Sequence, residues 1–366
     1  MTSVSYQPVD PVSTLPVASS VRPSLRVEIQ PGKGFAINPF DLPEMKPFEV
    51  EIEPLYSFIS AGTELNTFQK FLKLSEGSTR NSPTGYSQCG RVKAVGSAVK
   101  TIRPGQLVTA IGQGAFHSTR TFVAQNLVTP VPEGVDPQGA ALAAMFCFAM
   151  ESVQKSKVRL GENAIVFGAG MMGQLAARLY ALSGARCGVV DSNAFRLNLL
   201  PDGIPSFALC DEGWQQLADW AGPYGIEHVS ICFGGDATEV VNRVKRLMPR
   251  APDGVPHGRI VFPGGAFLSV LMASNMGNIE LISSAKAGPG YRDPVYESGI
   301  DYPAAYVSHP VQRNVRAMLR LMQEKKLDLR PLVTHTFPFE KAMEAYEMLL
   351  SPEVRALAVL IDYTGL

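Results

Sequence analysis

The stretch from Asn163 to Asp191 constrains the fold of this chain more than any other. A short apolar run ends in the glycines Gly168, Gly170 and Gly173, a segment with apolar residues at helical spacing follows, and a second apolar run ends in Asp191. Strand, glycine turn, helix and strand in that order predict a βαβ unit. Two such strands lie parallel in one sheet, so the chain is expected to contain an α/β layer.

The spacing of these glycines is that of a dinucleotide-binding fingerprint. Gly168 would permit the tight strand-to-helix turn, Gly170 would let the backbone approach a pyrophosphate, and Gly173 would let the helix pack closely on the strand. Met171 and Met172 stand between these glycines, at the helix N terminus where free N–H groups favour a pyrophosphate. A glycine-rich turn in another kind of α/β domain is the alternative explanation.

The acid at the end of the second strand bears on the choice of cofactor. Asp191 lies about 20 residues beyond the first glycine, where a carboxylate can accept hydrogen bonds from the adenosine ribose hydroxyls. The same carboxylate repels a 2′-phosphate, so NAD(H) is the preferred cofactor. Arg196 leaves NADP(H) open, because a nearby cation can accommodate that phosphate; a place beside the ribose or in solvent is the alternative for this residue.

Length and composition exclude several classes of function. The chain has 366 residues, enough for two domains, and Lys+Arg and Asp+Glu both number 33, so no basic excess indicates nucleic acid or an anionic membrane as partner. The five cysteines form no C-x-x-C pair, as is typical of buried thiols in the cytoplasm. The start, Met1 to Arg22, predicts a loose tail rather than a signal peptide, and the longest apolar stretch, Gly139 to Met150, is too short to span a bilayer.

The pattern of predicted secondary structure changes once along the chain. From Ser24 it predicts short strands separated by turns, and from Val158 it predicts strands alternating with helices, which implies a parallel sheet. Ligands of such sheets lie beyond the carboxyl ends of the strands. Two later strands end in glycine loops that are therefore expected beside the cofactor. The first loop contains Phe233 and Gly234, and the second contains Pro263 and Gly264. The alternative is that these glycines serve only to form the turns.

Several motifs besides the fingerprint resemble those of the medium-chain dehydrogenase/reductase superfamily. They are Ile59 to Glu64, Gly85 to Val92 and Gly139 to Leu142. The resemblance implies an α/β protein with a GroES-like, mainly β catalytic domain at residues 24–155 and 305–366. It also implies a Rossmann-type domain with a doubly wound parallel sheet at residues 156–304, preceded by a flexible tail at residues 1–23.

The same resemblance points to a member without zinc. In zinc alcohol dehydrogenases these motifs hold a Cys ligand, a His-Glu pair and a further Glu or Cys, and the corresponding positions here look like Ala61, Tyr86, Ser87 and Ala144. None offers the ligand set that a catalytic zinc needs. The structural zinc lobe is also missing, because Ala110 to Thr121 is short and contains no cysteine.

Within the superfamily, the chain is most similar to a branch that includes bacteriochlorophyllide dehydrogenase and dehydrogenases of sugar or polyol biosynthesis. The motifs Ser60 to Glu64, Gly85 to Ser87 and Gly288 to Pro303 carry this likeness. The segment around His309 and Pro310 departs from the Trp-containing version expected of that branch. The substrates of relatives therefore do not transfer directly.

Hydride transfer without zinc needs a proton donor near the reacting oxygen. Tyr86 and Ser87 occupy the vacated metal position, and Thr63 resembles the hydroxyl of the family's proton relay, with a turn or cap role as its alternative. His117 lies in a loop expected to border the substrate cleft and could act as general acid or base; a structural role is the alternative. Glu151 is expected at the surface.

The run from Tyr291 to Tyr306 is rich in side chains that could bind a hydroxyl-rich substrate. The candidates are Tyr291, Arg292, Asp293, Tyr296 and Glu297. A solvated loop that packs its tyrosines on the surface is the alternative.

These observations favour a zinc-independent, NAD(H)-preferring alcohol dehydrogenase or ketoreductase that acts on a polar small molecule such as a sugar, a cyclitol or a biosynthetic intermediate. Reduction of a conjugated C=C bond, as in quinone and enoyl reductases, is the alternative reaction. A dinucleotide-binding protein without turnover is the alternative from another class. The resemblance also implies a cytoplasmic homodimer that pairs through the strand from Ile279 to Ser284.

Overall fold

The computed structural model describes residues 23–366 apart from Pro352 and the side chain of Asn275. The expected N-terminal tail therefore lies outside the described residues, except for Pro23. Within the described range, every helix is too short or too polar to cross a membrane.

The first part of the chain is mainly strand. Its elements are β1 (Ser24–Gln30), β2 (Gly34–Phe40), β3 (Glu49–Ile59), α1 (Ala61–Leu72), β4 (Ser82–Pro83), β5 (Ser87–Val95), β6 (Leu107–Ile111), β7 (Thr121–Ala124), β8 (Val128–Pro130), α2 (Pro137–Ala140) and α3 (Ala143–Ser156).

The middle part alternates strands and helices. Its elements are β9 (Asn163–Phe167), α4 (Met171–Leu182), β10 (Arg186–Asp191), α5 (Ala194–Leu197), β11 (Ser206–Ala208), α6 (Asp211–Ala221), β12 (His228–Ile231), β13 (Gly235–Asp236), α7 (Thr238–Val244), β14 (His257–Phe262), β15 (Ala266–Phe267), β16 (Asn278–Ser283) and α8 (Pro294–Glu297).

The last part of the chain packs with the first part. Its elements are α9 (Val311–Gln323), β17 (Val333–Pro338), α10 (Ala342–Leu350) and β18 (Ala358–Asp362). Short 3-10 turns lie at Gln125–Leu127, Gly222–Tyr224, Lys245–Leu247, Ser274–Met276, Arg330–Leu332 and Phe339–Lys341.

The strands of the middle part form one parallel sheet of six with the order β11-β10-β9-β12-β14-β16. The strand order reverses at β9, so the sheet is doubly wound and has its switch point beside the fingerprint. Alternate side chains of β9 enter two different cores: Ala164 and Val166 face one, and Ile165 and Phe167 face the other. Helices cover both faces, as a parallel sheet requires.

The strands of the first and last parts share a second sheet with the order β17-β18-β3-β5-β6-β8, in which β7 also pairs with β3. The final strand β18 runs antiparallel to β3, with Val359 opposite Ile59. Strands β2, β1 and β4 form a small separate sheet. A mainly β unit completed by the chain's return segment and a doubly wound parallel sheet confirm the predicted fold class.

Helix α3 joins the two sheets into one core. Its buried Phe146 and Cys147 lie in the same apolar cluster as Phe58 of the β-rich part and Leu175 of α4. Glu151 on this helix is not at the surface as expected, because only 13% of its side chain is exposed, and Lys155 lies 3.5 Å from its Oε1. Burial follows because α3 packs between α4, α9 and the parallel sheet.

Candidate functional site

The four positions that resemble those of zinc ligands in related enzymes lie at the start of α1, at the start of β5 and in the first turn of α3. The Tyr86 hydroxyl donates a 2.5 Å hydrogen bond to Oγ of Ser60, which directly precedes Ala61. The Ser87 hydroxyl accepts a 3.1 Å hydrogen bond from the Ala144 amide. Tyr86 therefore lies beside the start of α1, whereas Ser87 lies against the start of α3.

The residue types at these four positions do not fit a catalytic zinc. The four side chains present two methyl groups, one phenol and one hydroxyl, whereas zinc takes thiolate, imidazole and carboxylate ligands. In the part of the chain that the structure describes, no group of three or more His, Cys, Asp or Glu side chains is arranged to hold a metal ion.

Tyr86 is held as a neutral phenol. Burial raises the pKa of its hydroxyl above the ordinary value, and hydrogen bonding to Ser60 and Thr63 offsets only part of that rise. Thr63 is exposed on the first turn of α1, so it connects the Tyr86 hydroxyl with solvent. A protonated phenol with an exposed hydroxyl beside it can donate a proton and recover one from water.

The surroundings of Tyr86 are aromatic and apolar. The Phe148 ring stands edge-on to Tyr86 with centroids 5.8 Å apart, and Tyr291 stands edge-on to Phe148 at 5.7 Å. The Met145 sulfur lies 3.6 Å from the Tyr86 hydroxyl. Burial raises the pKa of Tyr291 to about 12. Of the residues expected to bind substrate, Tyr291 thus lies nearest to the Tyr86 site, and it joins an apolar wall there.

Ser87 does not face this space. Its side chain is fully buried and donates a 2.6 Å hydrogen bond to the Ala141 carbonyl, while it accepts the Ala144 amide. Both contacts fix the start of α3 against β5. The expected contact with a reacting oxygen is therefore corrected to a positioning role.

His117 is also away from the expected place, since its side chain has no exposed surface. Its Nδ1 lies 2.7 Å from the Ser57 hydroxyl, and its Nε2 lies 3.3 Å from Oε1 of Glu64. The expectation that His117 borders the cleft is corrected: the backbone of its loop returns to β1, where the Val27 amide donates to the His117 carbonyl at 2.8 Å, and this carries the ring inward.

A buried polar network continues from His117 to the Tyr86 site. The Glu64 carboxylate accepts the Ser60 amide at 2.8 Å and the Tyr346 hydroxyl at 2.6 Å. Ser60 is thus fixed through its main chain by Glu64, and its side chain fixes Tyr86. The network holds the first turn of α1 in place below the candidate site.

The polar side chains of the 291–306 run bind their own loop. Asp293 caps α8 by accepting the Val295 amide at 2.9 Å and also accepts the Tyr302 hydroxyl. Glu297 accepts the Arg292 amide at 2.9 Å. Tyr296 is buried and stacks on Tyr302 with centroids 5.2 Å apart. Arg292 is the member of the expected set whose side chain is exposed, so the loop is a folded unit rather than an open set of donors.

The glycine loop has the form that a dinucleotide requires. Gly168 has φ +99°, in the region that favours glycine, and a Cβ on Gly173 would lie 1.7 Å from the Gly168 carbonyl oxygen. A Cβ on Gly170 would meet nothing within 4 Å. The open side of Gly170, at the N terminus of α4 that Met171 and Met172 begin, fits a pyrophosphate.

Asp191 is oriented by two backbone amides. Its Oδ2 accepts the Ala169 amide at 2.5 Å and its Oδ1 accepts the Asn193 amide at 2.7 Å. Each carboxylate oxygen retains a further lone pair for a ribose hydroxyl. A cavity of about 670 Å³ lies just beyond, lined by Ser192–Phe195, Asn198 and Glu353–Arg355.

The other two glycine loops lie at the same edge of the sheet. Phe233 approaches the fingerprint, since its Cβ lies 3.3 Å from the Cβ position of Gly168. Beyond Gly234 and Gly264, the short strands β13 and β15 pair in parallel. The loops that carry Phe233, Gly234, Pro263 and Gly264 are thus beside the glycine loop, where contact with a cofactor was expected.

Sequence reasoning missed the polar residues that support the site from within. Gln174 and Arg178 are buried on α4, and Glu64 and Ser60 are buried at the start of α1. For Gln174 and Arg178 a signal existed, because they stand four residues apart on a helix whose other inner positions are apolar.

Comparison with known proteins yields relatives and similar folds. No protein-family model matches the chain. Sorbitol dehydrogenase of Bos taurus is 25% identical over 297 residues, which cover 72% of this chain and 75% of that protein. L-galactonate-5-dehydrogenase of Escherichia coli K12 is 24% identical over 292 residues, which cover 72% of this chain and 78% of that protein.

Among solved structures, galactitol-1-phosphate dehydrogenase from Escherichia coli superposes with a TM-score of 0.72 and covers 93% of this chain and 100% of that chain, at 16% identity. That likeness concerns the fold. The motifs, the two sheets and the dehydrogenase relatives agree with one another, and together they support an NAD(P)-dependent oxidoreductase that is similar to the medium-chain dehydrogenase/reductase superfamily.

Proposed function

We propose that this protein is a zinc-independent, NAD(H)-preferring alcohol dehydrogenase or ketoreductase, with Tyr86 as its proton donor. Residues 24–155 and 305–366 would form the catalytic domain, and residues 156–304 would bind the cofactor. The observation that carries the proposal is the Tyr86 phenol, kept protonated by burial, at a position where zinc enzymes of the superfamily hold a metal ligand.

The bound nicotinamide supplies the hydride, and the chain supplies orientation and the proton. The glycine loop and Asp191 would hold the dinucleotide. In the direction of reduction, the Tyr86 hydroxyl would donate its proton to the carbonyl oxygen. Ser60 fixes the phenol through its hydroxyl at 2.5 Å, and Thr63 returns a proton from water.

The curated relatives favour a polar substrate. Their names describe dehydrogenases of sorbitol and of L-galactonate, both of them hydroxyl-rich. We extend that class to this chain as a sugar, a cyclitol or a related intermediate, with the exposed side chain of Arg292 as the candidate charged contact.

Reduction of a conjugated C=C bond is the second candidate, and a specific observation favours it. Phe148 and Met145 contact Tyr86 and Tyr291 packs on Phe148, while polar groups of the 291–306 loop are bound to each other. An apolar wall suits an enone better than a polyol.

We also propose a cytoplasmic homodimer. Strand β16 is the last strand of the parallel sheet and pairs with β14 on one side, so its other edge can continue the sheet of a second copy. Light scattering after size exclusion tests this, and a monomer at micromolar concentration would contradict it.

The test of the proposed function has three arms on the purified full chain. NADH and NADPH are titrated by fluorescence, bound metal is measured by mass spectrometry, and turnover is screened on polyols, keto-sugars and enones with and without a chelator. We expect tighter binding of NADH, no stoichiometric zinc, and chelator-resistant reduction of a keto-sugar. Turnover of enones alone supports the second candidate, stoichiometric zinc overturns the role of Tyr86, and cofactor binding without any turnover supports a non-catalytic protein.

A further inference from the structure

The fingerprint helix α4 carries two buried polar side chains that the proposed chemistry does not use. Gln174 is fully buried and Arg178 is 7% exposed, and they lie one helical turn apart on the same face. Burial of an amide and a guanidinium costs free energy unless both are hydrogen bonded. Their partners therefore show what the pair holds in place.

The partners belong to the two loops that would contact the adenosine half of a dinucleotide. Gln174 Nε2 donates to the Arg196 carbonyl at 2.7 Å and to the Ala169 carbonyl at 3.3 Å. Ala169 lies in the glycine loop, and its own amide donates to Asp191. One side chain thus ties the glycine loop to the segment that follows Asp191.

Arg178 fixes the Gln174 side chain and adds a second hydrogen-bonded link to the loop that follows Asp191. Its Nη1 donates to Gln174 Oε1 at 2.7 Å and to the Gln174 carbonyl at 3.0 Å. Its Nη2 donates to the Leu199 carbonyl at 3.0 Å. Because Oε1 of Gln174 is bound to Arg178, the amide nitrogen of Gln174 must point to the two loops. Burial lowers the pKa of Arg178 to about 10, with Asp328 opposing that shift, so the guanidinium is charged at neutral pH.

We infer that Arg178, acting through Gln174, is a positioning residue that sets the affinity for the adenosine half of the cofactor without touching it. The inference rests on the proposed dinucleotide site. Loss of either tie would free the carbonyls of Arg196 and Leu199 and let the loop after Asp191 move. The ribose contact would weaken, whereas the nicotinamide end and Tyr86 would remain in place.

Arg178 can be reached from outside the fold. It lines a cavity of about 720 Å³ together with Asn198–Ile204, Lys325–Asp328 and residues of α4. A small guanidinium compound can therefore enter the space left by a truncated Arg178, and Lys325, an exposed cation on the same cavity, provides a matched control.

The experiment compares wild type, Arg178→Lys, Arg178→Ala and Lys325→Ala by titration with NADH and with 5′-AMP, and by kcat at saturating NADH. Lysine keeps the charge but cannot reach both Gln174 and Leu199, so both Arg178 variants should bind NADH and 5′-AMP about tenfold more weakly, as the loss of one or two hydrogen bonds predicts. Their kcat should remain that of wild type, and Lys325→Ala should bind as wild type does. Ethylguanidinium chloride should restore 5′-AMP binding to Arg178→Ala, and ethylammonium chloride should not.

The outcomes separate this inference from the proposed function. Wild-type protein that binds neither NADH nor NADPH overturns the dinucleotide site and the inference with it. Wild-type protein that binds NADH, with unchanged 5′-AMP affinity in Arg178→Lys, overturns the inference alone. A drop in melting temperature with unchanged affinities assigns Arg178 a purely structural role and also overturns it. If Arg178→Ala does not fold, Arg178→Lys decides the question.

Discussion

The Tyr86 hydroxyl donates to Ser60 Oγ at 2.5 Å, and these residues lie 26 positions apart in the sequence. Ser60 ends the loop before α1, and Tyr86 precedes β5. The bond therefore joins the two motifs that hold metal ligands in zinc enzymes of the superfamily. It fixes the oxygen that we propose as the proton donor.

Replacement of the donor tests this directly. Tyr86→Phe removes the hydroxyl and keeps the ring against Phe148, so kcat for carbonyl reduction should fall about 100-fold or more. The dissociation constant for NADH should not change, because Tyr86 lies outside the glycine loop. Steady-state kinetics and fluorescence titration measure the two quantities. Tyr180→Phe, which removes a buried hydroxyl in the cofactor-binding part, is the control, and equal kcat in both variants would exclude Tyr86 as donor.

The raised pKa of Tyr86 predicts the shape of the pH profile. A neutral phenol is the form that donates a proton, and burial keeps it neutral beyond its ordinary pKa of about 10. At saturating substrate, kcat for reduction should show no loss from Tyr86 ionisation between neutral pH and about pH 10. A stopped-flow pH series measures this, and an alkaline limb near pH 8 that disappears in Tyr86→Phe would contradict the structure.

His117 should matter for stability and not for chemistry. His117→Ala leaves a buried space and removes the partner of Ser57 and Glu64, so the free energy of unfolding should fall by about 3 kcal/mol. The kcat of the folded fraction should stay within about twofold, because the ring cannot touch a substrate. Urea denaturation followed by circular dichroism measures the free energy of unfolding. His309→Ala, at an exposed histidine, is the control. A large loss of kcat at unchanged stability would restore His117 as an acid or base.

Asp191 should decide how strongly NADH is preferred. Asp191→Ala removes the ribose acceptor and releases the Ala169 amide, so the dissociation constant for NADH should rise about tenfold or more. The affinity for NADPH should fall less, because Asp191 would no longer repel the 2′-phosphate of that cofactor. The ratio of the two constants is the readout, and Asp219→Ala, at an exposed carboxylate on α6, is the control. An unchanged ratio would show that Asp191 does not select the cofactor.

The spacing of local motifs was sufficient to predict the cofactor-binding part. Strand, glycines, helix and acid follow one another within 163–191, and each signal depends on residues close in sequence. The parallel sheet and its doubly wound order follow from such units because crossovers are short and of one hand.

The inner side of the site could not be predicted in this way. His117 was expected at the cleft, yet it is buried beside β1. Glu151 was expected at the surface, yet only 13% of its side chain is exposed, and its carboxylate lies beside Gly288 from a distant part of the chain. The Asp293 and Glu297 carboxylates were expected to bind substrate, yet turn geometry in α8 directs them to their own backbone.

The sequence by itself determined the class of fold and the glycine loop, because these depend on residue type and short spacing. Only the tertiary structure decided which hydroxyl faces the site and which supports it. Tyr86 directly precedes β5 and Ser87 is the first residue of that strand. The packing of α3 against β5 encloses Ser87, whereas Tyr86 meets the aromatic wall.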